Sequence, residues 1–289
     1  MDFDQSKVQD IIGQIENEVR RRHMLGNESL GRKKLIEKVY IPKFTEIFKL
    51  EEKFLHPDFK QLAVECSKSK KNMKTIYSMM TNEKSDRVFS FPVFTTAFCD
   101  LILKELQHFN ALDIEKGRPN TMNRYGVVLS ELLEFDSGFL TELRQNYLSH
   151  ISKAIYPEWS GDGIDSHRAF TVEYEPAKDI KLDEHYDNAE VTINICLGHT
   201  FEGGKLKFGG LRESAYSSDC KEIIQKPGIG ILHRGQHCHS ATPIAEGRRT
   251  NLIIWMRASS VRNDLCPMCD KKPSLVYVEG HNDGFTEME

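Results

Sequence analysis

Three His-x-Asp triplets occur in the 289-residue chain: His56-Pro57-Asp58, His185-Tyr186-Asp187 and His281-Asn282-Asp283. An imidazole and a carboxylate at that spacing can hold a metal ion. With 11 histidines present, about one such triplet is expected at average composition, so the surroundings must separate them. His56-Pro57-Asp58 falls where a helix should begin, and Asp58 is there a favourable first-turn anion. His281-Asn282-Asp283 lies in a polar tail. His185-Tyr186-Asp187 instead opens "HYDNAEVTINICL", which reads as a strand with two distinct faces. Val191, Ile193, Ile195 and Leu197 form an apolar face; Glu190, Thr192, Asn194 and Cys196 form a polar one. His185 and Asp187, two apart, point the same way. A strand with a polar inner face suits a cavity better than a dry core.

Downstream, "GIGILHRGQHCHSATPIAEGRRTNLIIW" contains His233, His237 and His239, then a turn with Pro243 and Gly247, then Arg248 and Arg249 at the start of an apolar strand. A His-x-Asp pair with one distant histidine makes a set of two imidazoles and a carboxylate. That set occupies one face of an octahedral iron(II) and leaves positions open, enough for a bidentate 2-oxo acid and dioxygen. The far carboxylate of such an acid needs a cation. Arginine serves best, because its planar fork pairs both oxygens. Alternation puts Arg249 on one face with Asn251, Ile253 and Trp255. It does not choose between His237 and His239, which share a face. His233 precedes an Arg-Gly turn signal and should end its strand. A zinc hydrolase using His237 and His239 with an activated water is the alternative metal chemistry, and Arg249 argues against it.

The elements that must position these residues follow from periodicity. Residues 1–86 read as helical. Val8, Ile11, Ile12, Ile15 and Val19 follow the i, i+3, i+4, i+7 rule, as do Phe44, Ile47 and Phe48 after Pro42, and Phe59, Leu62, Ala63 and Cys66 after Pro57. These are expected to be core-facing stripes of buttressing helices, with a partner-binding module as the alternative. "RVFSFPVF" is strand-like. Two further helical patterns follow, one from Phe98 to Phe109 and one from Leu140 to Ile155. From Ser166 onward short strands dominate: "HRAFTVEY", "EVTINICL", "KLKFGG", "KEIIQ", "GIGILH" and "TNLIIWMRA". Many short strands with regular turn signals suggest a sandwich or barrel. The expected organisation is a helical region over 1–86, a metal-binding domain over 87–262, and a C-terminal tail over 263–289. That tail holds "CPMC", Cys266 to Cys269, a lone pair of thiols where a structural zinc site wants four ligands.

Composition sets the outer limits. The chain is 39% hydrophobic and 28% charged with a formal net charge of -4, which gives no reason to expect nucleic acid as a partner. The one basic cluster, "KSKKNMK", is short enough to be a solvated helix face. No apolar run approaches the ~20 residues that span a bilayer, so no membrane association is expected. The start "MDFDQSKVQD" lacks the basic-then-apolar pattern of a targeting segment. Seven scattered cysteines then read as reduced thiols of a cytoplasmic or nuclear protein.

The span from Val88 to Arg262 resembles the 2-oxoglutarate- and iron(II)-dependent oxygenases of the prolyl and lysyl hydroxylase branch. The resemblance rests on an ordered combination: His185-Tyr186-Asp187, a strand, "FEGGKLKF", His239-Ser240-Ala241-Thr242-Pro243, then Gly247-Arg248-Arg249. "RPNTMNRYG", "DSHRAF" and "LHRGQHCH" are similar to a narrower group within that family. The resemblance implies an α+β chain with a double-stranded β-helix, or jelly roll, and supporting helices. It implies His185, Asp187 and His239 as iron ligands, the choice of His239 following from the spacing to Pro243 and Arg249. It also implies Arg249 and Tyr174 at the distal carboxylate of 2-oxoglutarate. No catalytic residue beyond the ligands is assigned. The implied activity consumes dioxygen and 2-oxoglutarate, releases succinate and CO2, and hydroxylates a C–H bond of a peptide or protein side chain. L-Ascorbate is an allowed accessory. A jelly roll that keeps the metal but serves only as an interaction module is the competing reading.

Overall fold

Alternation along residues 190–197 sets the architecture. The apolar face drives a sheet against helices, while the polar face turns into a barrel. The computed structural model of the chain describes residues 5–83, 85–213 and 220–275. Four helices lie in the first part of the chain: α1 (Gln5–Val39), α2 (Pro57–Ser67), α3 (Met73–Ser78) and α4 (Thr96–Asn110). The strands are β1 (Thr81–Asn82), β2 (Phe89–Pro92), β3 (Ser166–Tyr174), β4 (Leu182–His185), β5 (Val191–Gly198) and β6 (Phe201–Gly203). They continue with β7 (Leu206–Leu211), β8 (Lys221–Ile223), β9 (Ile229–Arg234), β10 (His237–Ala241), β11 (Ile244–Gly247) and β12 (Arg249–Arg257).

A six-stranded sheet runs β1-β2-β9-β5-β12-β3, a four-stranded sheet runs β4-β10-β7-β8, and β11 pairs with β6. Every pairing between these strands is antiparallel. The two larger sheets face each other as a jelly roll, and the chain is α+β. Val191, Ile193, Ile195 and Leu197 of β5 join one core cluster with Phe98, Ile102 and Leu106 of α4 and Phe59 and Leu62 of α2. A smaller cluster fills the barrel between the sheets, with Phe170, Val172, Tyr174, Phe208, Ile231 and Ile253. The first cluster extends without interruption to Ile36 and Tyr40. Residues from the end of α1 onward therefore share the core of the β-structure.

The stripe in α1 differs from expectation. Val8, Ile11, Ile12, Ile15 and Val19 are exposed, Ile15 at 58%, rather than core-facing. Periodicity reports that a helix has an apolar side, not that anything covers it. Among the described α1 side chains the first in the core is Ile36, far along a 35-residue helix. The stripes of α2 and α4 are buried as predicted. His56 caps α2, its side chain accepting from the Asp58 N–H, with Asp58 in the first turn. His281 lies outside the described residues. No described helix is long and apolar enough to cross a membrane.

Candidate active site

Antiparallel pairing brings the two histidines together. His185 ends β4 and His239 sits mid-β10, and the two are Cα partners in the register, with ring centroids 4.2 Å apart. The chain leaves β4 at His185, so Asp187 lies in the following loop and not, as the alternation argument supposed, on the same strand. That loop is anchored from below. Asp187 N–H donates to the Gly235 carbonyl at 2.8 Å, and Gln236 Nε2 donates to the Asp187 carbonyl at 2.9 Å. Gly235 is required by this approach: a Cβ there would stand 2.0 Å from the Ala189 carbonyl oxygen. Thr192 Oγ1 donates to Asp187 Oδ2 at 2.8 Å and fixes the carboxylate.

One ligand atom from each of His185, Asp187 and His239 falls within 4.8 Å of the others. The individual separations are 3.6 Å from His185 Nε2 to Asp187 Oδ1 and 3.6 Å from His239 Nε2 to Asp187 Oδ2. Ligands in adjacent positions around a metal at about 2.1 Å bond length lie roughly 3 Å apart, so a small contraction closes the set. The tautomers suit it. His185 Nδ1 lies 2.9 Å from the Asp183 carbonyl and His239 Nδ1 2.9 Å from that of His237. A carbonyl can only accept, so each Nδ1 carries the proton and each Nε2 presents a lone pair. Burial pushes the His239 pKa down to about 4, which keeps the ring neutral, as a ligand must be.

The neighbouring histidines are placed differently. His237 Nε2 faces the Gly209 carbonyl at 3.1 Å and Ser85 Oγ at 3.4 Å, and the ring stands outside the triad. His233 is fully buried behind it, its ring 4.6 Å from that of His239. Burial, reinforced by His239, holds its pKa well below the usual range.

Across the same cavity, Arg249, Asn251, Ile253 and Trp255 of β12 point inward together with Thr192 and Asn194 of β5. Arg249 is 1% exposed. Its Nε and Nη1 have no acceptor among the described residues. Its guanidinium packs over the ring of Tyr174, 4.6 Å from the centroid, and Tyr174 is its Cα partner on β3. Burying an unpaired guanidinium costs several kcal/mol, so the site is complete only with an anion in front of it. Gly204 of the "FEGGKLKF" stretch, at φ +58°, leaves room for the arginine: a Cβ there would lie 2.9 Å from Nη1. Arg248 turns the other way, its Nη2 3.1 Å from His199 Nε2. The donor set and the unpaired buried cation together fit iron(II) and a dicarboxylate.

The family model for an OGFOD2-like domain matches residues 36–161. The 2-oxoglutarate and iron-dependent oxygenase domain-containing protein 2 of Danio rerio is 44% identical over 283 residues, covering 98% of this chain and 82% of its own length. The chain belongs to this oxygenase domain-containing protein 2 family. It is thus an iron- and 2-oxoglutarate-dependent oxygenase. Procollagen-lysine,2-oxoglutarate 5-dioxygenase 1 of Mus musculus is 27% identical over 173 residues, covering 56% of this chain and 22% of that protein. A prolyl 4-hydroxylase structure from Phytophthora capsici aligns at TM-score 0.50 and 14% identity, over 73% of this chain and 69% of that one, and so shares the jelly-roll fold.

Several residues of this oxygenase site escape sequence reasoning. Thr192 was placed on the polar face, but nothing in the sequence ties its hydroxyl to Asp187. Asn120, Thr121, Met122 and Asn123 line the cavity together with Tyr186. They belong to an irregular stretch with no periodicity from which to read a direction. Cys266 is buried and Cys269 exposed, and among the described residues neither joins a group able to hold a metal.

Proposed function

We propose that His185, Asp187 and His239 hold iron(II), that Arg249 and Tyr174 take the distal carboxylate of 2-oxoglutarate, and that the enzyme hydroxylates a protein side chain. The observation that carries this reading is the pairing of two features in one cavity: two Nε2 lone pairs converging on Asp187, and an unpaired buried Arg249 facing them. Bound iron supplies the centre at which dioxygen and 2-oxoglutarate give succinate and CO2, with one oxygen atom entering succinate and the other the substrate C–H bond. The chain's own residues supply placement. Thr192 holds the carboxylate orientation, the Asp183 and His237 carbonyls hold the imidazole tautomers, and Arg249 sets the direction of the co-substrate. Phe170, Val172, Leu206 and Ile253 give the cavity apolar walls that limit water.

A protein substrate is supported by the similarity to procollagen-lysine 5-dioxygenase over 56% of this chain and by a cavity whose lining includes the exposed Met122 and Tyr186. Residues 87–262 form the catalytic domain in this reading, with 1–86 as a helical region packed on it from Ile36 onward and 263–289 as a tail. The test is to incubate the iron-loaded enzyme with 2-oxoglutarate, dioxygen and a protein or peptide mixture, and to follow succinate and a one-oxygen mass gain. Gain on a side chain, absent in His239→Ala, is expected. Succinate release stimulated only by small metabolites would overturn the choice of substrate.

A further inference from the structure

Tyr174 stands beside Arg249, yet its hydroxyl proton has no acceptor: among the described residues Oη accepts a hydrogen bond and donates none. The donor is Asn123, fully buried, whose Nδ2 lies 3.3 Å from Tyr174 Oη. Neither amide can be turned around. Asn120 Oδ1 accepts from the backbone N–H groups of Met122 at 2.8 Å and Asn123 at 2.7 Å, which can only donate. Asn120 Nδ2 must therefore face Asn123 Oδ1, at 3.0 Å. That leaves the Asn123 amide nitrogen for Tyr174 and for Asp179 Oδ2, at 3.5 Å. Asp179 Oδ2 also accepts the Arg124 and Tyr125 N–H groups, at 2.7 and 3.3 Å, so a carboxylate fixes the other side of the relay. Donation runs one way, from the backbone through Asn120 and Asn123 to the phenol oxygen.

We infer that Asn123 is a positioning residue for the co-substrate: by occupying the Tyr174 oxygen as donor, it makes the phenol offer its own proton to the carboxylate that Arg249 binds. This rests on the proposed function. A phenol free to rotate spends part of its time with its lone pairs toward the anion, which repels. A phenol whose lone pair is already engaged is preorganised as a donor, and chained hydrogen bonds of one direction strengthen each other. The same asparagines line the cavity, so the stretch over 120–123 is tied through one side chain to the residue that stands beside Arg249.

A double-mutant cycle read by calorimetry tests this. 2-Oxoglutarate is titrated anaerobically into the full chain loaded with manganese(II). Asn123→Leu in the otherwise unaltered chain should weaken 2-oxoglutarate about three- to tenfold, the worth of one neutral hydrogen bond. In a Tyr174→Phe background the same change should have almost no effect, and manganese affinity should be unchanged throughout. Should Asn123→Leu fail to fold, Asn120→Asp serves. Its carboxylate still accepts the two N–H groups but cannot donate to Asn123, and the same dependence on Tyr174 is expected. Equal losses in both backgrounds, or no loss in either, overturn the role of Asn123. Failure of the unaltered chain to bind 2-oxoglutarate counts instead against the proposed function itself.

Discussion

At the scale of single residues the two arginines opening β12 make the sharpest contrast. Arg249 is buried with no acceptor for Nε or Nη1 among the described residues, whereas Arg248 is half-buried and engaged with His199. Arg249→Ala should weaken 2-oxoglutarate by about ten- to a hundredfold, the worth of a charge-assisted pair, and leave metal affinity nearly intact. Arg248→Ala should be close to silent, and calorimetry with both variants checks this. The histidines give a parallel test. His239→Ala removes one of three ligands and should nearly abolish metal binding. His237→Ala removes a ring that faces Gly209 and should cost ten- to a hundredfold at most. A metal titration at neutral pH in which His237→Ala is the more damaging would reverse the ligand assignment. Much of this was legible in the sequence: the His185 triplet from its two-faced strand, Arg249 from alternation. The choice of His239 over His237 was not legible from alternation, because residues two apart share a face. It came from the family resemblance, whose pattern sets the spacing to Pro243 and Arg249; in the structure His237 Nε2 faces the Gly209 carbonyl and His239 Nε2 the Asp187 carboxylate.

At the scale of elements, the loop carrying Asp187 depends on a buried ion pair outside the site. Arg262, in the short helix Ser259–Arg262, is fully buried, and its Nε lies 3.1 Å from Glu190 Oε2. Its Nη2 also reaches the Asn188 carbonyl at 3.4 Å, so one guanidinium spans the segment between Asp187 and β5. Arg262→Met leaves Glu190 buried without its partner and should destabilise the fold by roughly 3–5 kcal/mol, measurable by denaturant unfolding. Stability within 1 kcal/mol of the parent, an error-sized change, would show that the loop does not depend on the Arg262–Glu190 pair. This clamp was invisible in the sequence: Glu190 read as one more residue on a polar face, and "SSVR" has no periodicity long enough to interpret. Strands fared better. The runs read over 167–174, 190–197, 228–233 and 250–258 fall on β3, β5, β9 and β12, because strands buried on both faces have strict side-chain requirements.

At the scale of the whole molecule, the N-terminal region divides by packing rather than by sequence pattern. Ile36, Tyr40, Ile47 and Phe59 lie in the same core as β5, while Val8, Ile11, Ile12, Ile15 and Val19 are exposed. Deleting residues 1–28 should leave the melting temperature and 2-oxoglutarate affinity unchanged. Deleting 1–86 should strip helices from the outer face of the large sheet and give an aggregating protein, as light scattering would show. A soluble protein lacking 1–28 that no longer binds metal would mean that α1 reaches the site in a way its packing does not reveal. The joint site for metal and co-substrate can be measured by one anaerobic calorimetric titration of 2-oxoglutarate into the full chain, with and without manganese(II). Stoichiometric binding that depends on the metal and is lost in His239→Ala is expected. Binding that is absent, or equally strong without metal, would contradict a joint site.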